Sequence, residues 1–324
     1  MSTPSTLTIA TRESPLALWQ AKFIQAELCR IYPDIDVNIL GMTTRGDQIL
    51  NAPLAKVGGK GLFVKELETA LLDGRADIAV HSAKDMPMDL PKGLALQIVG
   101  LRETPYDALV LGANNEQSAP ALEKLPAGAV VGTSSLRRKC QAMRVRPDLV
   151  YKDLRGNVNT RLAKLDAGEY TAIILAAAGL KRLGLNERVS ALLPGEQLLP
   201  AVAQGALAIE FRENDNAVAK TLQPLIDTST LLCVTAERAM NKVLDGGCQV
   251  PIAGFATLNE NSLTMQGRVG SFDGKQLLIA RGNSDITSQS SLEEKLLTSQ
   301  QLGETIAHSL LNQGAAELLA QVEK

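Results

Sequence analysis

Apolar and polar positions follow two different rhythms along this chain of 324 residues. Through the first two-thirds, short apolar runs of strand length alternate with longer stretches at helix spacing. Thr6–Ala10 predicts a strand, and Leu16–Ile31 predicts a helix behind it. Ser14 suits the N-cap of that helix and Pro15 its first turn. Val37–Met42, Ile78–Val80 and Leu94–Val99 predict further strands, and Gly61–Leu72 is helical, with Leu62, Leu67, Leu71 and Leu72 at helix spacing. A new unit starts at Ala108–Leu111. Val130-Val131 and Leu149–Leu154 each lead into a helix, and Ala172–Ala176 is a strand of small residues. Such alternation predicts parallel sheets covered by helices on both faces.

The last third has another rhythm. Leu231–Leu244 reads as a helix ending at Gly246-Gly247. Val250–Leu258, Ser262–Val269 and Gln276–Ala280 then read as three strands. Asn259-Glu260-Asn261 and Asp273-Gly274 are hairpin signals between them. A final helix carries Leu302, Ile306 and Leu310 at four-residue steps. This predicts an α+β unit, an antiparallel sheet with helices on one side.

Composition narrows the chemistry. Hydrophobic residues make up 45% and charged residues 21%, the balance of a globular protein. A net charge of -2 argues against a general nucleic-acid binder, and 3% aromatic residues are too few for a base-stacking platform. Two histidines, His81 and His308, exclude a His-rich metal site, and four dispersed cysteines without a CxxC pair argue against structural zinc. No apolar run approaches the ~20 residues of a membrane span. The first residues show neither a signal peptide nor an Arg-rich transit peptide, so the expectation is a reduced, cytoplasmic protein. The overall charge conceals an asymmetry. Residues 130–182 hold eleven Lys and Arg against four acids, a net +7 within a chain that is -9 elsewhere. This predicts a cationic surface aimed at an anion.

Polar clusters stand where parallel α/β sheets bind ligands, beyond the carboxyl ends of strands. They are Thr11-Arg12-Glu13-Ser14, His81-Ser82-Ala83-Lys84-Asp85, Thr133-Ser134-Ser135-Leu136-Arg137-Arg138, and Arg155-Gly156-Asn157 with Arg161. Strand-to-helix turns offer free N–H groups, and Arg adds a planar fork for carboxylate or phosphate. Together they predict a multi-point anion cradle. No P-loop spacing is present; Lys56-Val57-Gly58-Gly59-Lys60-Gly61 reads either as an exposed loop or as a basic flap over an anion. Cys248, in Gly246-Gly247-Cys248-Gln249-Val250-Pro251, is the one reactive candidate among the thiols. Cys29, Cys140 and Cys233 fall in helical patterns and are expected to be buried. Asp85 is open to two readings, a general acid or base and a turn-forming residue before Pro87. His81 is a base or a satisfied core residue.

Six of these stretches, in order from about Leu7 to Gly254, resemble the hydroxymethylbilane synthase (porphobilinogen deaminase) family. They are Ala10–Ala17, Lys56–Phe63, Val80–Asp85, Gly132–Arg138, Leu154–Val158 and Gly246–Pro251. Ala83 and Met86 depart from the usual residues of their turn, and signals weaken after Phe255.

The resemblance implies a transferase that joins four porphobilinogen molecules head to tail, releases ammonia at each step and yields linear hydroxymethylbilane for tetrapyrrole (haem) biosynthesis. It implies a dipyrromethane cofactor thioether-linked to Cys248, and no metal. In fold it implies α/β architecture: two doubly wound domains like type II periplasmic binding proteins, residues 1–104 with 205–224 and residues 105–204. A C-terminal α+β domain, 225–324, carries a three-stranded antiparallel sheet and Cys248. Asp85 is implied as the catalytic residue. Ser82, Lys84, Thr133, Ser134, Ser135, Arg137, Arg138, Arg155 and Gly156 would hold the cofactor. Arg12, Ser14, Lys56, Lys60, Phe63, Arg155, Arg161, Arg182 and Gln204 would hold substrate. Porphobilinogen and the growing polypyrrole chain are the implied partners of a monomer that needs no nucleic acid or membrane. The polycarboxylate product accounts for the basic segment. The rival reading is a non-catalytic anion-binding protein on the same scaffold, which leaves Gly246-Gly247-Cys248 without a role.

Overall fold

A computed structural model describes residues 4–44, 46, 64–112, 121–247, 250–286 and 291–321. The chain falls into two compact units, Met1–Arg102 with Ala206–Leu231, and Glu103–Gly205 with Leu232–Lys324.

The first unit is built on a five-stranded sheet. Its strands are β1 (Thr6–Arg12), β2 (Asp36–Met42), β3 (Ile78–Ser82), β4 (Leu94–Val99) and β10 (Leu207–Arg212), in the order β2-β1-β3-β10-β4. β1 pairs in parallel with β2 and β3, while β10 runs antiparallel to β3 and β4. The sheet is therefore mixed, not purely parallel as the alternation alone predicts. Strand periodicity sorts the side chains. Leu7, Ile9, Ile78 and Val80 face α1 (Pro15–Ile31) through Ala21, Ile24 and Leu28. Ala10 and Ala79 face α2 (Lys65–Leu72) through Leu67, Ala70 and Leu71. Burial on both faces explains the near-continuous apolar runs of these strands. Helix α1 starts as predicted, with Ser14 Oγ accepting from Ala17 N–H and Pro15 in the first turn.

The second unit contains a sheet of the same design. Its strands are β5 (Asp107–Leu111), β6 (Val130–Gly132), β7 (Val150–Lys152), β8 (Ala172–Ala176) and β9 (Ala191–Leu193), in the order β7-β6-β8-β5-β9. Again three parallel strands are followed by an antiparallel one, here β5. Leu109, Val131 and Ile174 face α3 (Leu136–Val145), whereas Val110, Ile173 and Leu175 face α4 (Val158–Asp166). Both sheets are thus doubly wound α/β structures, covered by helices on both faces. Short helices α5 (Ala177–Arg182) and α6 (Asn216–Leu222) follow β8 and β10.

The remainder of the second unit is the expected antiparallel sheet, β11 (Ile252–Asn259), β12 (Ser262–Gly270) and β13 (Leu277–Asp285). Both hairpins lie where the turn residues place them. Helix α7 (Thr228–Val243) and helix α8 (Leu292–Asn312) meet one face of it, and α9 (Ala315–Ala320) ends the described chain. A Cβ at Gly267 would sit 2.5 Å from Met240 Sδ and 2.8 Å from Ile306 Cγ2, so the glycine admits both helices to the central strand. Helix α8 opens with a reciprocal cap: Glu294 N–H donates to Ser291 Oγ, and Ser291 N–H to Glu294 Oε2. Among the described residues no helix is long and apolar enough to cross a membrane.

A second expectation, about the thiols, fails in part. Cys29 is exposed on α1, whereas Cys140 and Cys233 are buried. Cys29 follows the core residue Leu28, and a step of one residue turns a helix by about 100°, which carries the side chain off the apolar face. Burial pushes the Cys140 thiol up to about 11, which leaves it inert.

Candidate functional site

In the first unit the register fixes the site. Ile9 pairs with Ile78 in parallel, so the carboxyl ends of β1 and β3 lie side by side. Arg12 and Ser14 leave the first end; Ser82, Lys84 and Asp85 leave the second. Thr11 is buried and donates from Oγ1 to the Ala17 carbonyl, tying the strand end to α1. Buried Gln20 donates from Nε2 to Ser82 Oγ at 2.8 Å, which ties the second end to the same helix. Ala83–Asp85 form a single 3-10 turn, held by Ala83 N–H on the Ala206 carbonyl. His81 and Ser82 thus belong to the strand itself, which runs two residues beyond the apolar run Ile78–Val80. Asp85 is exposed, and its carboxylate accepts no hydrogen bond from a described residue.

Behind this turn lies a buried acidic group that the sequence reading overlooked. His81 Nε2 is 3.2 Å from Glu210 Oε2, without the alignment of a hydrogen bond. Burial, with Glu210 nearby, pushes the Glu68 carboxyl up to about 7. A raised carboxyl favours its neutral form in the fold, so stability is lost as pH rises from the ordinary range through about 7. Glu68→Gln should therefore raise the melting temperature relative to the parent at pH 8 and leave it unchanged near pH 4.5. Equal melting temperatures at pH 8 would count against this assignment.

In the second unit β6 and β7 pair in parallel, and their carboxyl ends again adjoin. Thr133, Ser134 and Ser135 leave β6; Arg155, Gly156 and Asn157 follow β7. The hydroxyls stitch the two turns. Ser134 Oγ donates to the Leu154 carbonyl and accepts from Leu154 N–H. Thr133 Oγ1 accepts from Ser135 N–H, and Ser135 Oγ caps α3 on Arg138 N–H. Asn157 caps α4 on Thr160 N–H, and Arg161 Nε donates to the Gly156 carbonyl. Gly156 has φ +108°, and a Cβ there would lie 2.7 Å from the Thr160 side chain. Only glycine fits this turn comfortably.

Arg137 and Arg138 are buried, and both hold Asp107. Arg137 Nη1 donates to Asp107 Oδ2 at 2.7 Å, and Arg138 Nε to Oδ1 at 3.0 Å. Gln204 Nε2 donates to Oδ1 as well, at 3.0 Å, and to the Pro105 carbonyl. Burial pushes the Asp107 carboxyl up, but the two guanidinium groups outweigh it and hold it well below the usual carboxylate range. Two permanent cations thus share the Asp107 carboxylate. Arg182 is also buried, donating from Nη2 to the Gly205 carbonyl, and burial brings its guanidinium down to about 10.

Asp107 is the residue that sequence reading missed here. Its only signal is a lone acid directly before the apolar run Ala108–Leu111. Cys248, Lys56, Lys60 and Phe63 lie outside the described residues. The approach to Cys248 is described as far as Gly247. Asp245 turns the chain at φ +48°, and Gly246 donates from N to the Asn241 carbonyl. A Cβ at Gly246 would lie 2.0 Å from Asn241 Oδ1, whereas one at Gly247 meets nothing within 4 Å. One glycine is thus required for packing and the next leaves open space.

Residues 7–220 match the family model "Porphobilinogen deaminase, dipyromethane cofactor binding domain", and residues 231–312 match "Porphobilinogen deaminase, C-terminal domain". The chain belongs to the porphobilinogen deaminase family. It is 53% identical over 320 residues to the porphobilinogen deaminase of Nitrosomonas europaea, covering 99% of both chains. It is 54% identical over 323 residues to the chloroplastic porphobilinogen deaminase of Euglena gracilis, covering 97% of this chain and 66% of that protein. Similar solved structures include the VFT2 domain of Bordetella pertussis BvgS, with a TM-score of 0.42 and 16% identity, covering 67% of this chain and 85% of that one. Another is the periplasmic aliphatic sulphonate binding protein SsuA of Escherichia coli, with a TM-score of 0.40 and 16% identity, covering 74% and 70%. The activity is that of a transferase of tetrapyrrole biosynthesis, hydroxymethylbilane synthase, and its cofactor is dipyrromethane.

The residues present suit that group. Dipyrromethane carries acetate and propionate side chains, and the cluster around Asp107 has more guanidinium than carboxylate. Forked donors facing several carboxylates are the appropriate chemistry.

Proposed function

We propose that Asp85 is the proton-handling residue of this hydroxymethylbilane synthase and that the strand-end arginines hold the acidic chain. The observation that carries this reading is the pairing of strand ends: Arg12 and Asp85 flank adjacent parallel ends in one unit, and Thr133–Arg138 and Arg155–Arg161 do so in the other. An exposed carboxylate without an ionic partner among the described residues is available to a substrate N–H and to a departing ammonium group. It can accept a pyrrole N–H, carry a proton to or from the aminomethyl nitrogen, and offset the positive charge that develops as ammonia leaves.

Arg12, Arg155, Arg161 and Arg182 supply counter-charge for substrate acetates and propionates, and Ser14 and Gln204 supply donors. Lys56, Lys60 and Phe63 complete the substrate-binding set, the two lysines as further counter-charge. Ser82, Lys84, Thr133, Ser134, Ser135, Arg137, Arg138, Arg155 and Gly156 hold the cofactor, which is attached at Cys248. When bound, it supplies the carbon on which the first substrate is added. The protein works as a cytoplasmic monomer of three domains, residues 1–104 with 205–224, 105–204 and 225–324, and needs no nucleic-acid partner.

Intact mass tests the attachment. After incubation with porphobilinogen, the purified chain should weigh two pyrrole units more than its sequence, and Cys248→Ser should keep the unmodified mass. An unmodified parent chain would favour the non-catalytic anion-binding reading instead.

A further inference from the structure

The antiparallel sheet of the second unit has two faces, and helices α7 and α8 cover one of them. Strand periodicity puts Leu263, Met265, Gly267 and Val269 on the face of Met240 and Ile306. Gln266 and Arg268 point the other way. The register sets Arg281 and Phe255 beside Gln266, and Ile279 beside Arg268. These residues form the floor of a cavity of about 800 Å³. Its opposite wall comes from α3, through Gln141 and Arg144, and from residues 192–199 after β9.

The charge in this cavity is unbalanced. Arg268 is only 4% exposed, yet its acceptors are neutral. Nη1 donates to Gln141 Oε1 at 2.9 Å. With the Gln266 amide turned to present its oxygen, Nε and Nη2 donate there at 3.0 and 3.2 Å. Arg281 and Arg144 face the same space, and Arg144 Nη1 donates to the Lys275 carbonyl. Among the described residues no carboxylate comes within 4.0 Å of these three guanidinium groups. Glu196 is the single acid in the lining among the described residues. A buried guanidinium is normally matched by a carboxylate, because desolvation of an unmatched charge is costly. Burial and the neighbouring Arg281 both lower the affinity of Arg268 for its proton, as expected where counter-charge is missing. The remaining walls are apolar, with Leu277, Ile279, Leu192 and the tilted ring pair Tyr106–Phe255.

We propose that this cavity is a second ligand site, separate from the strand-end cradle, for a ring-bodied small molecule carrying two or more anionic groups. Three guanidinium groups against one carboxylate select the anion. Aromatic and aliphatic walls select the body. The volume lies in the upper part of the range of small-molecule sites, ~300–1,000 Å³, which leaves room for more than a single pyrrole. The anionic groups are carboxylates or phosphates, both of which fit the guanidinium fork.

The test uses the cofactor-loaded enzyme and isothermal titration with three probes: uroporphyrin I as a ring polycarboxylate, ATP as a ring polyphosphate, and inorganic phosphate. One of the two ring probes should bind with saturation. The double variant Arg144→Glu/Arg281→Glu, both exposed positions, should weaken that binding at least tenfold while porphobilinogen turnover stays within twofold. Arg268→Gln, checked for native circular dichroism, should weaken it likewise. Uroporphyrin binding alone identifies a carboxylate ligand and ATP binding alone a phosphate ligand, and either supports the site. Absence of saturable binding, equal affinity in the parent and the double variant, or phosphate binding as tightly as the ring probes would each overturn the proposal.

Discussion

Asp85→Asn is expected to keep the fold and the attached cofactor and to lose most turnover. The side chain is exposed, and no described residue donates to its carboxylate. A surface change of equal size costs no more than about 0.5 kcal/mol of stability. The amide, however, cannot accept a proton or carry negative charge. Proton transfer by a placed side chain contributes ~10²–10⁴-fold to rate, so turnover should fall by that order with an unchanged melting temperature. Steady-state consumption of porphobilinogen, read beside intact mass, separates this from cofactor loss. Turnover near the parent level in a variant that carries the cofactor would remove Asp85 from the chemistry. Asp85→Glu should recover part of the rate, since the carboxylate remains and only its reach changes.

The elements that a sequence reveals are those whose causes are local. Ser14 and Pro15 start α1 because the cap needs only the next three residues. The clusters after β1, β3, β6 and β7 were legible for the same reason, since a polar turn directly follows an apolar run. What escaped depends on residues far apart in the chain. β10 joins a sheet assembled more than a hundred residues earlier, and Glu210 interrupts its apolar run. Buried His81 and Glu210 meet only because β3 and β10 pair, and no spacing rule links them. Cys29 follows a core position on α1, and one further helical step brings it into solvent. The basic segment was visible as charge, but charge alone does not reveal which cations are exposed. Arg155 is partly exposed, while Arg137, Arg138 and Arg182 are buried. For Arg137 and Arg138 the difference follows from β5, which carries Asp107 into the second sheet some thirty residues ahead of them.

Asp107→Asn should have the largest effect on stability. Asp107 is the only carboxylate within ion-pair distance of Arg137 among the described residues, and Arg138 pairs with it at 2.9 Å. The amide keeps the shape and one acceptor but removes the negative charge that both buried guanidinium groups share. Removing one partner of a buried pair costs roughly 3–5 kcal/mol, which for a domain of this size lowers the melting temperature by about 10 °C. The same change loosens Gln204, whose Nε2 donates to Asp107 Oδ1. The pH dependence distinguishes lost charge from lost packing. The folded carboxyl is held below its ordinary value of 3.8, so its stabilisation is complete above that value and declines as pH falls through the folded one. The gap between parent and variant should therefore be constant from pH 5 to 8 and narrow below about pH 4. Chemical denaturation at pH 7 and at pH 3 measures both ends. A gap of the same size at pH 3 would mean that the cost comes from packing and that Asp107 does not hold the two arginines by its charge.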